Sequence, residues 1–209
     1  VSRLNTQALR GFIQRRLPVQ QRATEIAIFD ARLPLFVALF AEGLLTAWMP
    51  LYAHSLPNTL GPWVPDTLAI AAPIAIFTAA LILAMALSRL WWDRVPLRLN
   101  AIGGLLLSVA GLVGASFAND IAMLTLARAV SGAGLGLLRV ACVDYALSVP
   151  HHAADRHDED GFSKAFLTSG VTGLAIGAVL ADWAGPGIVF VIAAGVSVFA
   201  MIISLILMD

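Results

Sequence analysis

Six long apolar runs, separated by short polar connections, dominate the pattern of hydrophobic and polar positions along the chain. A transmembrane helix needs about 20 predominantly apolar residues, and each run meets that length. The runs cover residues 33–55, 67–88, 99–118, 121–147, 163–182 and 187–208. The pattern therefore predicts an all-α membrane protein with six transmembrane helices.

Two of the connections are very short, which makes the runs on either side of them antiparallel neighbours. Asn119 and Asp120 alone separate the third run from the fourth, and a Gly-Pro-Gly sequence at Gly185, Pro186 and Gly187 turns the chain between the fifth and sixth. Gly and Pro at such positions end a helix and reverse its direction. We expect two tight hairpins at one end of the bundle.

Composition supports the same class of protein. The chain has 59% hydrophobic and 12% charged residues and a mean hydropathy of +0.86. Soluble domains average about 25% charged residues, so an ordinary soluble domain is excluded. The single cysteine, Cys142, excludes an intrachain disulfide.

Charges outside the runs follow the alternation of the connections. The positive side chains fall in the segment before the first run, in every second connection after it, or at the edge of a run beside such a connection: Arg3, Arg10, Arg15, Arg16, Arg22, Arg32, Arg89, Arg94, Arg98, Arg156 and Lys164. The remaining connections contain Asp66, Asp120 and Asp182 and neither Lys nor Arg. The positive-inside rule then predicts that both termini are cytoplasmic, in a bacterial inner (plasma) membrane.

Residues 1–32 differ from the six-span domain that we assign to residues 33–209. Leu9, Phe12, Ile13 and Leu17 share one helical face, while basic residues occupy other positions. This pattern is typical of an amphipathic helix on the cytoplasmic surface of a membrane, attracted by anionic lipid. A linker from an upstream domain is an equally open interpretation.

Two charges lie deep inside the predicted spans. Glu42 is nine residues past Leu33 in the first span, which places it roughly 13 Å deep at ~1.5 Å per residue. Arg128 is eight residues past Asp120 in the fourth span, roughly 12 Å from the opposite surface. A charge at the centre of a bilayer costs roughly 2.5–3.5 kcal/mol on insertion scales, so such residues usually face a bundle interior or a cavity.

Small and polar residues add weaker signals. Thr46, Asn100 and Ser131 are candidates to line a cavity, although helical neighbours could satisfy them equally. Small residues allow close contact between helices in lipid, and we expect that role for the glycines of the fourth and fifth spans. These are Gly132, Gly134, Gly136, Gly173 and Gly177. A sharper alternative is that the fifth span slides or rocks against a neighbour.

Three segments resemble the major facilitator superfamily of transporters. One is the glycine-rich face of the fifth span, which stands where the family has a Gly- and Pro-containing antiporter motif; the Pro of that motif is absent here, so antiport is not implied. The loop from Ser88 to Arg98 is similar to the family signature G-x-x-x-D-R-x-G-R-K, and Asp93, Arg94 and Arg98 stand at matching positions. The two glycines and one Arg of the signature are replaced. The replacing residues are Arg89, Pro96 and Leu97. In the fourth span, Arg128, Gly132 and Gly134 match the family pattern R-x-x-x-G-x-G.

The resemblance covers roughly residues 33–208 and implies an N-terminal six-span half built from two inverted three-helix repeats. Members of the family pair two such halves and bind a small solute at the midplane between them. A second six-span half, in the same longer chain or in another subunit, is then a required partner. The resemblance also implies that Asp93, Arg94 and Arg98 form a gating loop. Plain anchoring by positive charge, with Trp91 and Trp92 at the interface, explains that loop equally well.

The first and fourth spans line the cavity together in this family, which implies that Glu42 and Arg128 are neighbours. An ion pair would offset the desolvation of both charges. We hypothesise that the pair responds to substrate or protons and couples transport. A static buried ion pair, or two separately hydrated charges, is the alternative.

Other functions receive less support from the residues. A membrane-embedded sensory or regulatory module, with the basic arm as a relay, is the main alternative to a transporter. An intramembrane serine protease would need Ser and His at depth, but all four histidines lie in connections or near a surface. The His- and Asp-rich segment 151–160 has no tight ligand spacing, so we expect a solvated loop without metal. We expect no enzymatic activity, no cofactor and no nucleic-acid partner; substrate, coupling ion and oligomeric state stay open.

Overall fold

The computed structural model describes residues 33–91, 96–148 and 157–207, and over these ranges every regular element is an α-helix. The residues before 33, between these ranges and after 207 are outside the description. We number the helices α1 to α7 in chain order. They are α1 (Leu33–Thr46), α2 (Met49–Ser55), α3 (Asp66–Trp91), α4 (Leu97–Ser116), α5 (Ile121–Ser148), α6 (His157–Ala184) and α7 (Pro186–Leu207).

Five of these helices, α3 to α7, are long and apolar enough to cross a membrane, and the α1–α2 pair makes a sixth span if it is counted as one. The predicted apolar runs therefore have the length and composition of transmembrane helices. The predicted basic arm at residues 1–32 lies outside the described residues.

Helix α6 begins earlier than the apolar pattern predicted. Its first residue is His157, six residues before the predicted start at residue 163, so the solvated-loop prediction for 151–160 is wrong for 157–160. The length of an apolar run underestimates the length of a helix whose first turns are polar. Acidic residues are favoured in a first turn, and residues 158–160 are all acidic. Residues 151–156 lie outside the described ranges.

The first predicted span is not one straight helix. Helices α1 and α2 are bent by 48° at a short break around Ala47 and Trp48. Pro50 lies in the first turn of α2 and has no N–H to donate to the preceding turn, so the helical ladder is interrupted there. The apolar run alone could not show this bend, because both sides of it are equally hydrophobic.

Side chains satisfy backbone carbonyls next to this break. The Thr46 hydroxyl donates to the carbonyl oxygen of Glu42 at 3.2 Å, and the Trp48 indole N–H donates to that of Leu44 at 2.7 Å. An unsatisfied carbonyl in hydrocarbon costs several kcal/mol by transfer estimates, so such local donors allow a broken helix at membrane depth.

Helix α5 makes the most extensive contacts with other helices among those described. It packs against both α3 and α4, and α4 also packs against α7. Helix α1 contacts α6 through Gly43 and Gly173, whose backbones approach closely enough that a Cβ on Gly43 would lie 3.1 Å from the Cα of Gly173. The seven helices thus form a bundle in which α1 and α5 carry the two deep charges.

The predicted packing glycines all lie at these helix contacts. A Cβ at Gly132 or Gly177 would overlap a carbonyl oxygen of the neighbouring helix, that of Phe77 in α3 or Leu44 in α1. Gly136 and Gly173 face the backbones of α3 and α1 in the same way, and Gly134 faces Gly104 in α4. Without a hydrophobic drive in lipid, such close backbone approach supplies the packing energy.

One end of the bundle is closed by short connections, which we call the acidic end. It comprises residues 56–65, 117–120 and 185 together with the helix termini that carry Asp66, Asp120 and Asp182. Just inside this end the rings of Trp48, Tyr52 and Phe190 pack edge to face or tilted, with centroids 5.2–5.9 Å apart. These rings join the α1–α2 span to α7 and belong to one apolar core cluster.

Candidate functional site

The two deep charges meet between α1 and α5. Nη1 of Arg128 lies 2.7 Å from Oε2 of Glu42, within hydrogen-bond and ion-pair distance. Their side chains are only 5% and 8% exposed, respectively, so the pair is sealed inside the bundle. Two opposite charges in a low dielectric offset part of each other's desolvation.

Two further groups hold the guanidinium of Arg128. Its Cζ lies 4.2 Å from the centroid of the Phe77 ring, a cation–π geometry, and Nη1 also lies 3.4 Å from the Ser131 hydroxyl oxygen. That hydroxyl in turn donates to the Arg128 carbonyl oxygen at 3.1 Å. The arginine is therefore held between α1 and α3 by contacts of three kinds.

The contact between α5 and α3 explains why a glycine, Gly132, stands four residues after Arg128. The two residues are one helical turn apart and share a face of α5. Gly132 lies against the backbone oxygen of Phe77, and Arg128 lies under the ring of the same residue. A side chain at Gly132 would push α3 away and move the ring from the guanidinium.

The ion pair does not use all its hydrogen-bonding capacity within the described part of the chain. Oε1 of Glu42 and Nε of Arg128 are both buried without a hydrogen-bond partner there, as are the hydroxyls of Thr125 and Ser197. Thr125 is three residues before Arg128, on the same face of α5. An unpaired oxygen on a buried carboxylate costs free energy and leaves a position that a further hydrogen-bond donor could occupy.

An aromatic layer separates this pair from the acidic end. Trp48 follows Glu42 by six residues, roughly 9 Å along the helix, and is 7% exposed. Phe190 packs against it at a centroid distance of 5.2 Å and is fully buried. The rings close the direct route along α1 between Glu42 and the acidic end.

The other predicted cavity residues take different positions. The Ser131 hydroxyl oxygen lies 3.4 Å from Nη1 of Arg128, one turn away on the same helix. Thr46 is exposed and its hydroxyl is bonded to the Glu42 carbonyl, so it supports the bend instead of the carboxylate. Asn100 lies in the first turn of α4, roughly 16 Å along that helix from Gly111, which packs against Ser131. A cavity role for Thr46, Asn100 and Ser131 stays a prediction.

Only one residue of the predicted gating loop is described. Nη2 of Arg98 donates to the carbonyl oxygen of Leu205 at 2.8 Å, which ties the start of α4 to the last turn of α7. A positive charge at a helix C-terminus is favourable because it meets unpaired carbonyls and the negative end of the dipole. Asp93 and Arg94 lie outside the described residues, so their gating role stays a prediction.

Sequence reasoning missed Phe77 and Ser197. Phe77 is one of several large apolar residues of α3, and no spacing in that helix distinguishes it from lipid-facing neighbours. Ser197 is a single hydroxyl in an apolar run. Only the packing of α3 onto α5 shows that the Phe77 ring covers the guanidinium of Arg128, and only the structure shows that the Ser197 hydroxyl is buried.

Metal ligation finds no support among the residues that the structure describes, because no group of three or more His, Cys, Asp or Glu side chains comes together there. Comparison with protein-family models and with curated proteins finds no significant match. The geometry of the Glu42–Arg128 site is therefore the main basis for a functional interpretation.

Proposed function

We propose that this chain is the N-terminal half of a secondary active transporter that moves a small solute by alternating access, with protons as the candidate coupling ion. The observation that carries the proposal is the buried ion pair between Glu42 and Arg128, in which one carboxylate oxygen has no hydrogen-bond partner among the described residues. Ionisable residues inside a membrane bundle are costly to bury, and they commonly mark ion or substrate pathways.

Protonation of Glu42 provides a physical route to coupling. A proton on the carboxylate removes one of the two charges and weakens the link between α1 and α5, while Arg128 keeps its cation–π contact with Phe77. The two helices would then be freer to move relative to each other. A substrate anion that contacts Arg128 would have the same effect by competing with Glu42.

The helix contacts support an arrangement of two inverted repeats, α1–α4 and α5–α7. The second span of the first repeat, α3, packs on α5, the first span of the other repeat. In the same way α6 packs on α1, through Gly173 and Gly177. The third spans, α4 and α7, pack on each other. Exchange of the two repeats leaves these three contacts unchanged, as related repeats require. The contact between α6 and α7 has no comparable α3–α4 counterpart among the described residues.

The exposed surfaces of α3 and α6 support a second six-span half. Over the residues whose side chains are described, each buries a narrow stripe, at Ala69, Pro73 and Ser88 in α3 and at Ser169, Gly173 and Gly177 in α6. The exposed side chains of these helices are mainly apolar. Lipid contacts some of this surface, and a second half would cover the rest and enclose a solute between the two.

The test is transport by the protein together with its second half, reconstituted in proteoliposomes that contain a pH-sensitive dye. A panel of solute gradients identifies one that moves protons, and Glu42→Gln is then compared with the parent. Gln keeps the shape and a hydrogen-bond acceptor for Arg128 but cannot carry a negative charge or take up a proton at neutral pH. We expect coupled uptake to be abolished.

Asp182→Asn is the matched control, because it neutralises an exposed carboxylate at the end of α6, outside the ion pair. It should transport as the parent does. Unchanged transport with unchanged pH dependence in Glu42→Gln would falsify the coupling role. Failure of every solute gradient to move protons in the parent would reject proton coupling itself.

A membrane-embedded sensory or regulatory module is the second candidate, and the sealing of the ion pair favours it. Both charged side chains are under a tenth exposed, as expected for a fixed structural element. Such a module would need no second half. A full assembly that lacks transport, and whose attached domain changes activity in Glu42→Gln, would support this candidate over the transporter.

A further inference from the structure

A cavity of about 250 Å³ opens at the acidic end, roughly 16 Å along the α1–α2 span from Glu42. It lies between α2, the connection 56–65, the start of α3 and the start of α5. Polar groups of His54, Asn58 and Asp66 meet apolar groups of Leu56, Ile70 and Ile121 on its walls. A concave site with an apolar wall and a few convergent polar groups is typical of small-ligand sites.

Hydrogen bonds hold the wall of this cavity in place. The Asn58 side-chain amide donates to Oδ1 of Asp66 at 3.0 Å and to the Val64 carbonyl oxygen at 3.1 Å, while its own oxygen accepts from the N–H of Leu60 at 3.2 Å. Asn58 thus links both ends of the connection and orients the Asp66 carboxylate.

The same connection is anchored to the start of α5. The N–H of Ile121 donates to the Pro57 carbonyl oxygen at 3.2 Å, and the N–H of Ala122 donates to the Thr59 hydroxyl oxygen at 3.3 Å. These are helix N-terminal donors that otherwise lack intrahelical partners. The cavity is consequently preformed, which reduces the entropy lost on binding.

Charge selects the class of ligand. Asp66 lines the cavity, and Asp120 and Asp182 lie at the same end, whereas the described connections 56–66, 117–120 and 182–187 contain no Lys or Arg. A surface with one sign of charge concentrates ions of the opposite sign. An anionic ligand would be repelled, and a neutral ligand would not balance the charge of the Asp66 carboxylate, which already accepts a hydrogen bond from Asn58.

We propose that this cavity binds a small primary ammonium compound with a short apolar tail. The ammonium group is placed on the Asp66 carboxylate, and the tail lies against Leu56, Ile70 and Ile121. The imidazole of His54 lies on the wall of the same cavity. This site is separate from the Glu42–Arg128 pair, and the proposal does not depend on whether the protein transports a solute.

The experiment uses the full chain in nanodiscs of phosphatidylcholine, a lipid without net charge, at pH about 8, where an ordinary imidazole is neutral. Saturation-transfer NMR measures binding of butylammonium, with 1-butanol as the uncharged probe and empty nanodiscs as the background. We expect saturable binding of butylammonium, and no saturable binding of 1-butanol above background.

Asp66→Asn is the decisive variant, because Asn keeps the acceptor for Asn58 and remains a good residue at a helix start, so only the charge is removed. It should weaken butylammonium binding at least about tenfold, the effect of losing one charged contact. Asp182→Asn removes an equal charge from the same end outside the cavity and should bind as the parent does. An unaltered thermal transition shows that both variants are folded.

Three results would overturn the proposal. They are the absence of saturable butylammonium binding, equal saturable binding of 1-butanol, and an equal loss in Asp66→Asn and Asp182→Asn. The last would mean that the acidic end attracts cations without a defined site.

Discussion

The Arg128 guanidinium carbon lies 4.2 Å from the centroid of the Phe77 ring, while Nη1 of the same side chain bonds to Glu42 at 2.7 Å. One cation thus joins α1, α3 and α5 at the middle of the bundle. Each contact compensates for part of the desolvation of the guanidinium. Removing either partner should therefore change the stability of the whole helix assembly.

Phe77→Leu should lower the free energy of unfolding by about 1–2 kcal/mol through the lost cation–π contact, in addition to the loss of ring packing. Unfolding in mixed micelles of mild detergent and SDS measures the change. Phe199→Leu makes the same chemical change at a position that is 57% exposed, and we expect little effect there. Equal losses in the two variants would contradict a specific role for Phe77.

Arg128→Met leaves Glu42 buried and unpaired, and it should destabilise the protein by about 3–5 kcal/mol. Adding Glu42→Gln to that variant removes the uncompensated charge. The double variant should therefore lose less unfolding free energy than the two single variants lose together. The difference, which is the coupling energy of the pair, should be about 0.5–3 kcal/mol. The same micelle titration measures all four proteins. Additive losses would show that the pair is not energetically coupled.

Gly177→Ala should be strongly destabilising, because the added Cβ would overlap the Leu44 carbonyl oxygen at the contact between α1 and α6. Overpacking of this kind typically costs about 1–3 kcal/mol. Gly103→Ala is the control, since an added Cβ there has no neighbour within 4 Å. Ala favours a helix over Gly by about 1 kcal/mol, so this control should be neutral or stabilising. A harmless Gly177→Ala would contradict the observed close approach.

Trp48→Phe should cost about 1–3 kcal/mol, because it leaves the Leu44 carbonyl oxygen beside the bend without the indole donor. Phe preserves most of the ring packing against Tyr52 and Phe190. Trp63→Phe is the same substitution at a side chain that is 91% exposed, and it should be close to neutral. Thermal unfolding in detergent compares the two. Equal unfolding temperatures of the two variants would show that the hydrogen bond from Trp48 to Leu44 does not contribute to stability.

Much of the helix assignment follows from hydrophobic length alone, because a bilayer requires a fixed apolar length and internal hydrogen bonding. The starts predicted for the fourth and sixth spans agree with α5 and α7 to within one residue. Polar ends carry no such signal, which is why the start of α6 was placed six residues too late. The bend at Trp48 was missed for a related reason: hydropathy is the same on both sides of it.

The residues of the candidate site also fall into those that the sequence predicted and those that only the structure showed. Depth along each span placed Glu42 and Arg128 at comparable levels from residue counts, because the rise per residue of a helix is constant. Residue counts contain no information about which helices are neighbours. Phe77, Thr125 and Ser197 were therefore not foreseen, and Thr46 and Asn100 were not distinguished from Ser131.

By itself, the sequence determined the number of apolar spans, the separation of basic and acidic connections, and the depth of the two buried charges. These properties depend on local composition and on the constant geometry of one helix. Tertiary structure decided that Arg128 meets Glu42, that Phe77 covers it, and that a cavity opens beside Asp66. Contacts between helices far apart in the chain depend on how closely their backbones approach, and here glycines such as Gly132 and Gly177 set that distance.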